Sequence, residues 1–173
     1  MCLLLGAAGV GKSLLVKRLH KLSSLDGKGD LGDPPPTRPT VGTNLTDVGA
    51  QRRLTIRELG GCMAPIWPSY YGDCHALLFM VDASNPTQLS ASCSQLLGLL
   101  SAEQLSSASV LILFNKIDLP CYMTTEEMKS LFRLSDILAC APQDISVVEV
   151  SARQGTGLSA VLHWLQDHHG HCT

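Results

Sequence analysis

Apolar runs alternate with helix-patterned segments along the whole sequence. Cys2–Leu5 is a short unbroken apolar run, which predicts a buried strand, and it leads straight into the glycine-rich stretch Gly6–Gly11. From Lys12 to about Leu22 the apolar residues recur at helical spacing. Ser23–Arg38 is polar, rich in Gly and Pro, and holds Pro34, Pro35 and Pro36 in a row, so neither a helix nor a central strand fits and an exposed loop is expected. Asn44–Val48 and Arg52–Glu58 alternate polar and apolar residues on either side of a turn containing Gly49, which predicts a hairpin. Ala76–Val81 and Val110–Phe114 are continuous apolar runs of the kind found in strands covered on both faces, and Ile145–Val150 is a similar run. Helices are expected over Thr87–Leu100, Thr125–Leu134 and Leu158–Asp167. The alternation implies an α/β fold of three layers, a mostly parallel sheet between two sets of helices, with the antiparallel hairpin at its edge.

The composition narrows this picture. The 173 residues fit one domain, 1–173, and 45% hydrophobic against 16% charged residues is a globular balance. With a net charge of −2 and no basic stripe, nucleic acid held by bulk electrostatics is excluded. Seven scattered cysteines without a C-x-x-C pair favour neither a disulfide framework nor a zinc site, and point to a reducing cytoplasm. No secretory signal or membrane-spanning run is present, so a soluble, monomeric protein is expected. Position 2 is Cys2 rather than Gly, and Cys172 stands one residue from the end, so no direct lipid anchor is expected. His168, His169, His171 and Cys172 read as a frayed polar tail.

Gly6-Ala7-Ala8-Gly9-Val10-Gly11-Lys12-Ser13 matches G-x-x-x-x-G-K-[ST], placed between a strand and a helix. The glycines allow backbone N–H groups to curl around a phosphate, and the following helix turns its positive end toward it. Lys12 supplies a point charge to the β- and γ-phosphates, and Ser13 offers a hydroxyl to Mg²⁺. This motif indicates a nucleotide without naming the base.

Asn115-Lys116-Ile117-Asp118 follows the run Val110–Phe114. The Asp118 carboxylate suits two N–H groups of a guanine edge, a charge-assisted pair that adenine cannot reproduce. The stem of Lys116 is suited to lie across the base, and Asn115 to tie this loop to the phosphate loop. Ser151-Ala152-Arg153 follows the last strand, where the Ala152 N–H is placed to meet the guanine oxygen.

In order and spacing these motifs resemble the small GTPases, P-loop NTPases with a G-domain fold, and in detail the ADP-ribosylation factor-like (Arf-like) branch. Pro39-Thr40-Val41-Gly42-Thr43-Asn44 resembles its first switch, P-T-[IV]-G-x-N, and Glu58-Leu59-Gly60-Gly61-Cys62 its second, D-x-G-G-Q. Asn115–Pro120 is similar to N-K-x-D-L-P, and Ser151–Leu165 to the closing S-A-x-x-G-x-G-L…W-L. The resemblance implies a molecular switch that binds GTP or GDP with Mg²⁺ and engages protein effectors in the GTP state, served by an exchange factor and an activating protein. It implies that Thr40 binds Mg²⁺ through its hydroxyl and the γ-phosphate through its N–H, and that Gly61 offers its N–H to the same phosphate. Loss of the γ-phosphate would release both segments. Ser13, Thr40 and, through water, Glu58 are the implied metal residues, and Thr40, Gly61 and Cys62 the implied catalytic positions.

The chain departs from the branch at four points. Glu58 stands for the usual Asp, and Cys62 for the Gln that orients the attacking water. The segment between Gly61 and the aromatic cluster Trp67, Tyr70 and Tyr71 is short. Thr43 and Arg57 replace two of the three aromatics that contact effectors in the branch, leaving Tyr70. Weak intrinsic hydrolysis is therefore expected. The competing readings are an efficient GTP hydrolase with a different water-positioning residue, and a small P-loop kinase or ATPase, against which Asp118 argues.

Overall fold

The computed structural model describes residues 2–6, 11–24, 43–48, 54–82, 89–115, 136, 139, 141, 143–152 and 154–168, with backbone alone at 22–24, 43–48, 54, 61–64, 73, 89–90 and 168. Six strands form one sheet in these residues: β1 (Cys2–Gly6), β2 (Thr43–Val48), β3 (Leu54–Leu59), β4 (Ala76–Asp82), β5 (Ser109–Asn115) and β6 (Asp144–Glu149). Their spatial order is β2-β3-β1-β4-β5-β6. β2 pairs antiparallel with β3 from Thr43 opposite Leu59 to Val48 opposite Leu54, and every other pairing is parallel. The mixed sheet expected from the alternation, with its antiparallel hairpin at one edge, is thus present.

Helices α1 (Lys12–Ser24), α2 (Leu89–Ser101) and α3 (Leu158–His168) supply the outer layers. The strand period of two explains why the sheet needs two covers. Cys2 and Leu4 of β1 join Leu15, Leu19, Leu78, Leu111, Val161 and Trp164 in one core, beneath α1 and α3. Leu3 and Leu5 face the other way, into a core shared with Phe79, Ile112, Trp67, Tyr71, Leu96 and Leu99. Truncating a fully buried leucine such as Leu4 or Leu78 to alanine removes about 2–5 kcal/mol of stability.

Several boundaries differ from expectation. α1 runs on to Ser24, two residues into the segment expected to be a loop. β5 includes Asn115, making that residue the last of a strand rather than the first of a loop. The expected helix Thr125–Leu134 and the Pro-rich segment lie outside the described residues. The pattern also gave no signal for Gly61–Asp73, a continuous 3-10 helix containing Pro65 and Pro68. Each proline removes an amide donor and obstructs regular α-helical bonding, while Trp67 and Tyr71 anchor the segment in the core.

Candidate functional site

The site assembles at the carboxyl ends of the parallel strands, where open α/β sheets bind ligands. Gly6 ends β1 and is in register with Met80, while Leu4 is in register with Glu58 of β3. Asp82 ends β4 opposite Asn115 of β5. One edge of the sheet therefore carries Gly6, Glu58, Asp82 and Asn115 together, with the first turn of α1 beside them.

Lys12 is 5% exposed, and its Nζ donates to the Gly6 carbonyl at 2.9 Å. A buried ammonium is costly unless paired, and the Gly6 carbonyl offsets part of that cost. Gly11 has φ of +101°, a conformation that L side chains rarely adopt. A Cβ there would overlap Asn115 Nδ2, so the missing side chain lets the phosphate-loop backbone lie directly against the end of β5.

Ser13 Oγ donates to Glu58 Oε1 at 2.5 Å, bridging α1 and β3. Glu58 is 4% exposed; a buried carboxylate must be paired or take part in holding a cation. A hydroxyl and a carboxylate are oxygen donors suited to Mg²⁺, and the longer Glu side chain still reaches Ser13. Among the described residues no group of three or more His, Cys, Asp or Glu could hold a metal by itself. Any Mg²⁺ here would share Ser13, Glu58 and the phosphates, and the residues present fit it.

The closing segment is held at several points. Ser151 pairs with Thr156, its Oγ accepts the Gln154 N–H at 3.1 Å, and Gly157 (φ +78°) turns back so tightly that a Cβ would strike the Glu149 carbonyl. The Ala152 N–H donates to Asn115 Oδ1 at 3.0 Å. Asn115 thus fastens Ala152 with its carbonyl oxygen while its amide nitrogen lies over Gly11.

Gly60 precedes the 3-10 segment, and its carbonyl accepts the Trp67 indole N–H at 3.2 Å. Trp67, 2% exposed, pins the Gly60-Gly61 pair to the core. On the outer side the Arg57 guanidinium lies over the Tyr70 ring, 5.2 Å from its centre. Two positions singled out in sequence, the substituted Arg57 and the retained Tyr70, therefore form one cation–π pair. The buried thiols at the amino ends of β1 and β4, away from this site, are poor nucleophiles. Burial pushes Cys74 up to about 11 and Cys2 well above the ordinary thiol range, while burial and then the neighbouring Cys74 push Tyr71 up to about 12.

Of the residues singled out from sequence, Gly6, Gly11, Lys12, Ser13, Glu58, Asn115, Ser151 and Ala152 converge here, and Gly61 and Cys62 are placed by their backbone. Ala7, Ala8, Gly9, Val10, Thr40, Lys116, Asp118 and Arg153 lie outside the described residues. Two buried charged residues were not anticipated. Asp82 ends an apolar strand, a position that sequence alone marks weakly. Arg18 was indistinguishable from the other basic residues of α1, yet its Nε–H donates to the Ala152 carbonyl at 3.0 Å.

A profile of the ADP-ribosylation factor family matches residues 1–169. The chain is 78% identical over 169 residues to human ADP-ribosylation factor-like protein 16, covering 98% of this chain and 86% of that protein. It is 30% identical over 168 residues to ADP-ribosylation factor-like protein 1 of Saccharomyces cerevisiae, covering 95% and 85% respectively. Among solved structures, the Arl6 BBS3 small GTPase from Trypanosoma brucei with bound nucleotide analogue GppNp superposes with a TM-score of 0.80 at 21% identity, covering 96% of this chain and 94% of that one, a likeness of fold. No described helix is long and apolar enough to cross a membrane.

Proposed function

The chain belongs to the ADP-ribosylation factor family of small GTPases, and from that premise we propose that it is a GTP/GDP switch whose output is GTP-dependent binding of protein effectors. The observation that carries this reading is the seat of Asn115. Its two amide ends touch the phosphate-loop glycine and the closing segment, so one side chain locks the phosphate side and the base side into a single site. Lys12 holds charge at the phosphates, and the backbone of Gly6–Gly11 surrounds them. Lys116, Asp118, Ser151, Ala152 and Arg153 form the guanine side, Asp118 reading two N–H groups of the base.

Ser13, Thr40 and, through water, Glu58 would hold Mg²⁺, which would supply positive charge to the phosphates. The N–H groups of Thr40 and Gly61 sense the γ-phosphate. Trp67 ties Gly60 to the core, so movement at Gly61 is transmitted to the 3-10 segment that carries Ile66 and Tyr70. Effectors dock where this surface changes, and the Arg57–Tyr70 pair gives it a cationic character in place of aromatic residues. Exchange and activating proteins complete the cycle of a cytoplasmic, monomeric G domain.

Hydrolysis is slow in this reading, because a thiol at Cys62 is too short and too weak a hydrogen bonder to orient water as an amide does. The test of the switch is competition for a fluorescent GDP analogue. GTP and GDP should displace it in a Mg²⁺-dependent manner while ATP does not, and Asp118→Asn should move the preference toward xanthine nucleotides. Equal displacement by ATP, or an unchanged preference in Asp118→Asn, would reject guanine recognition by this loop.

A further inference from the structure

Arg18 lies on α1 beyond Lys12 and Ser13 and is 3% exposed. Burying a guanidinium is unfavourable unless its donors are used, so its partner is informative. One partner is the Ala152 carbonyl, at 3.0 Å from Nε, on the opposite side of the same residue whose N–H donates to Asn115 Oδ1 at 3.0 Å. Ala152 is therefore gripped at both its polar backbone atoms, by side chains from α1 and from β5.

We propose that Arg18 is a positioning residue for nucleotide retention: it joins the helix that carries the phosphate- and metal-binding residues to the segment that closes the base side. The proposal rests on the guanine-nucleotide reading above. Asn115 orients Ala152 from one side only, and the carbonyl of a turn residue is free to rotate unless something holds it. Arg18 fixes that rotation from a regular helix whose own first turn cannot shift without disturbing Lys12 and Ser13. Loss of the Arg18 hydrogen bond would then free the closing segment, while Lys12 and Ser13 keep their places in the first turn of α1. Arg18 touches no substrate in this scheme. It acts by holding Ala152, which Asn115 grips from the other side.

The test uses the full chain loaded with a fluorescent GDP analogue. Arg18→Met keeps the length of the aliphatic stem and removes the donor; Arg18→Lys keeps a cationic donor on a different geometry. Dissociation should accelerate about tenfold in Arg18→Met, as expected for the loss of one hydrogen bond from a charged donor, and by a smaller factor in Arg18→Lys. Competition by ADP, which engages the phosphates without matching the base loop, should be unchanged, so the preference for GDP over ADP narrows by about the same tenfold. A wild-type dissociation rate in Arg18→Met, or equal losses for GDP and ADP, would overturn the proposal, the second because it describes a general destabilisation. Should Arg18→Met fail to fold, Arg18→Lys carries the test, and an unchanged dissociation rate there overturns it. A wild-type protein with no preference for GDP over ADP would reject the guanine reading itself before any variant is compared.

Discussion

Gly11→Ala tests the site where backbone geometry and recognition meet. Two separate costs follow from the structure. The first is conformational: Gly11 sits at φ +101°, and forcing an L residue there costs about 1–3 kcal/mol. The second is steric: the new Cβ would overlap Asn115 Nδ2, and Asn115 cannot retreat without releasing the Ala152 N–H that its Oδ1 accepts. For a chain of this size each kcal/mol lowers the melting temperature by about 2–4 °C, so the first cost alone predicts a fall of about 2–12 °C. The second appears mainly as weaker nucleotide binding, about tenfold or more, since moving Asn115 disturbs both sides of the site. Calorimetry in saturating GDP and titration with a fluorescent GDP analogue separate the two. In the double variant Gly11→Ala/Asn115→Ser the shorter side chain removes the overlap, so the losses in affinity should be clearly less than additive. Wild-type affinity and melting temperature in Gly11→Ala, or strictly additive losses in the double variant, would refute the contact between the two loops.

Ser13→Asn should weaken the Mg²⁺ dependence of nucleotide binding and favour the GDP-bound or empty protein, read by exchange at varied Mg²⁺; normal dependence would remove Ser13 from the metal site. Trp67→Phe keeps the aromatic volume but leaves the Gly60 carbonyl without its indole donor, costing about 1 kcal/mol and shifting the relative affinities for GTP and GDP; a change in stability without that shift would leave Trp67 only a core residue. Stability should be nearly level from neutral pH to about 8.5 and fall above about pH 9. The thiol of Cys74 ionises near its ordinary value when unfolded but only near 11 when folded, so each pH unit between the two removes about 1.4 kcal/mol, and Cys74→Ala should make the fall shallower in chemical denaturation. Under single-turnover conditions the wild type should hydrolyse GTP at about 10⁻⁴ per second or less, with Cys62→Gln faster; unaided turnover of several per minute that Cys62→Gln leaves unchanged would place water positioning elsewhere.

The fold was legible because its signals are one-dimensional. β1, β4 and β5 are unbroken apolar runs, and such runs need cover on both faces, which the two cores on opposite sides of Leu3 and Leu4 supply. The phosphate loop was legible for a similar reason, since a glycine needed at a positive φ and a lysine next to it are fixed by local backbone chemistry. The 3-10 course of Gly61–Asp73 was not, because it depends on where Trp67 and Tyr71 find the core and not on any periodicity of their own.

The polar contacts that fasten the site to the fold were the least legible of all, and the reason is sequence distance. Arg18 and Ala152 are separated by 134 positions, and Ser13 and Glu58 by 45. Nothing in the neighbourhood of Arg18 distinguishes it from Lys17 or Lys21, which share its helix and its charge. What distinguishes it is burial: Lys17 and Lys21 are exposed on the outer face of α1, whereas Arg18 turns beneath the closing segment. Asn115 shows how the two kinds of information combine. Its motif predicted a tie to the phosphate loop, and its amide nitrogen lies against Gly11; the motif did not predict that the Oδ1 of the same amide would accept the Ala152 N–H. A side chain with a donor at one end and an acceptor at the other can join two loops at once, and an apolar or singly functional residue at the end of β5 could join only one. The chemistry of the amide therefore accounts for the residue type at this position, and the fold accounts for which two loops it joins.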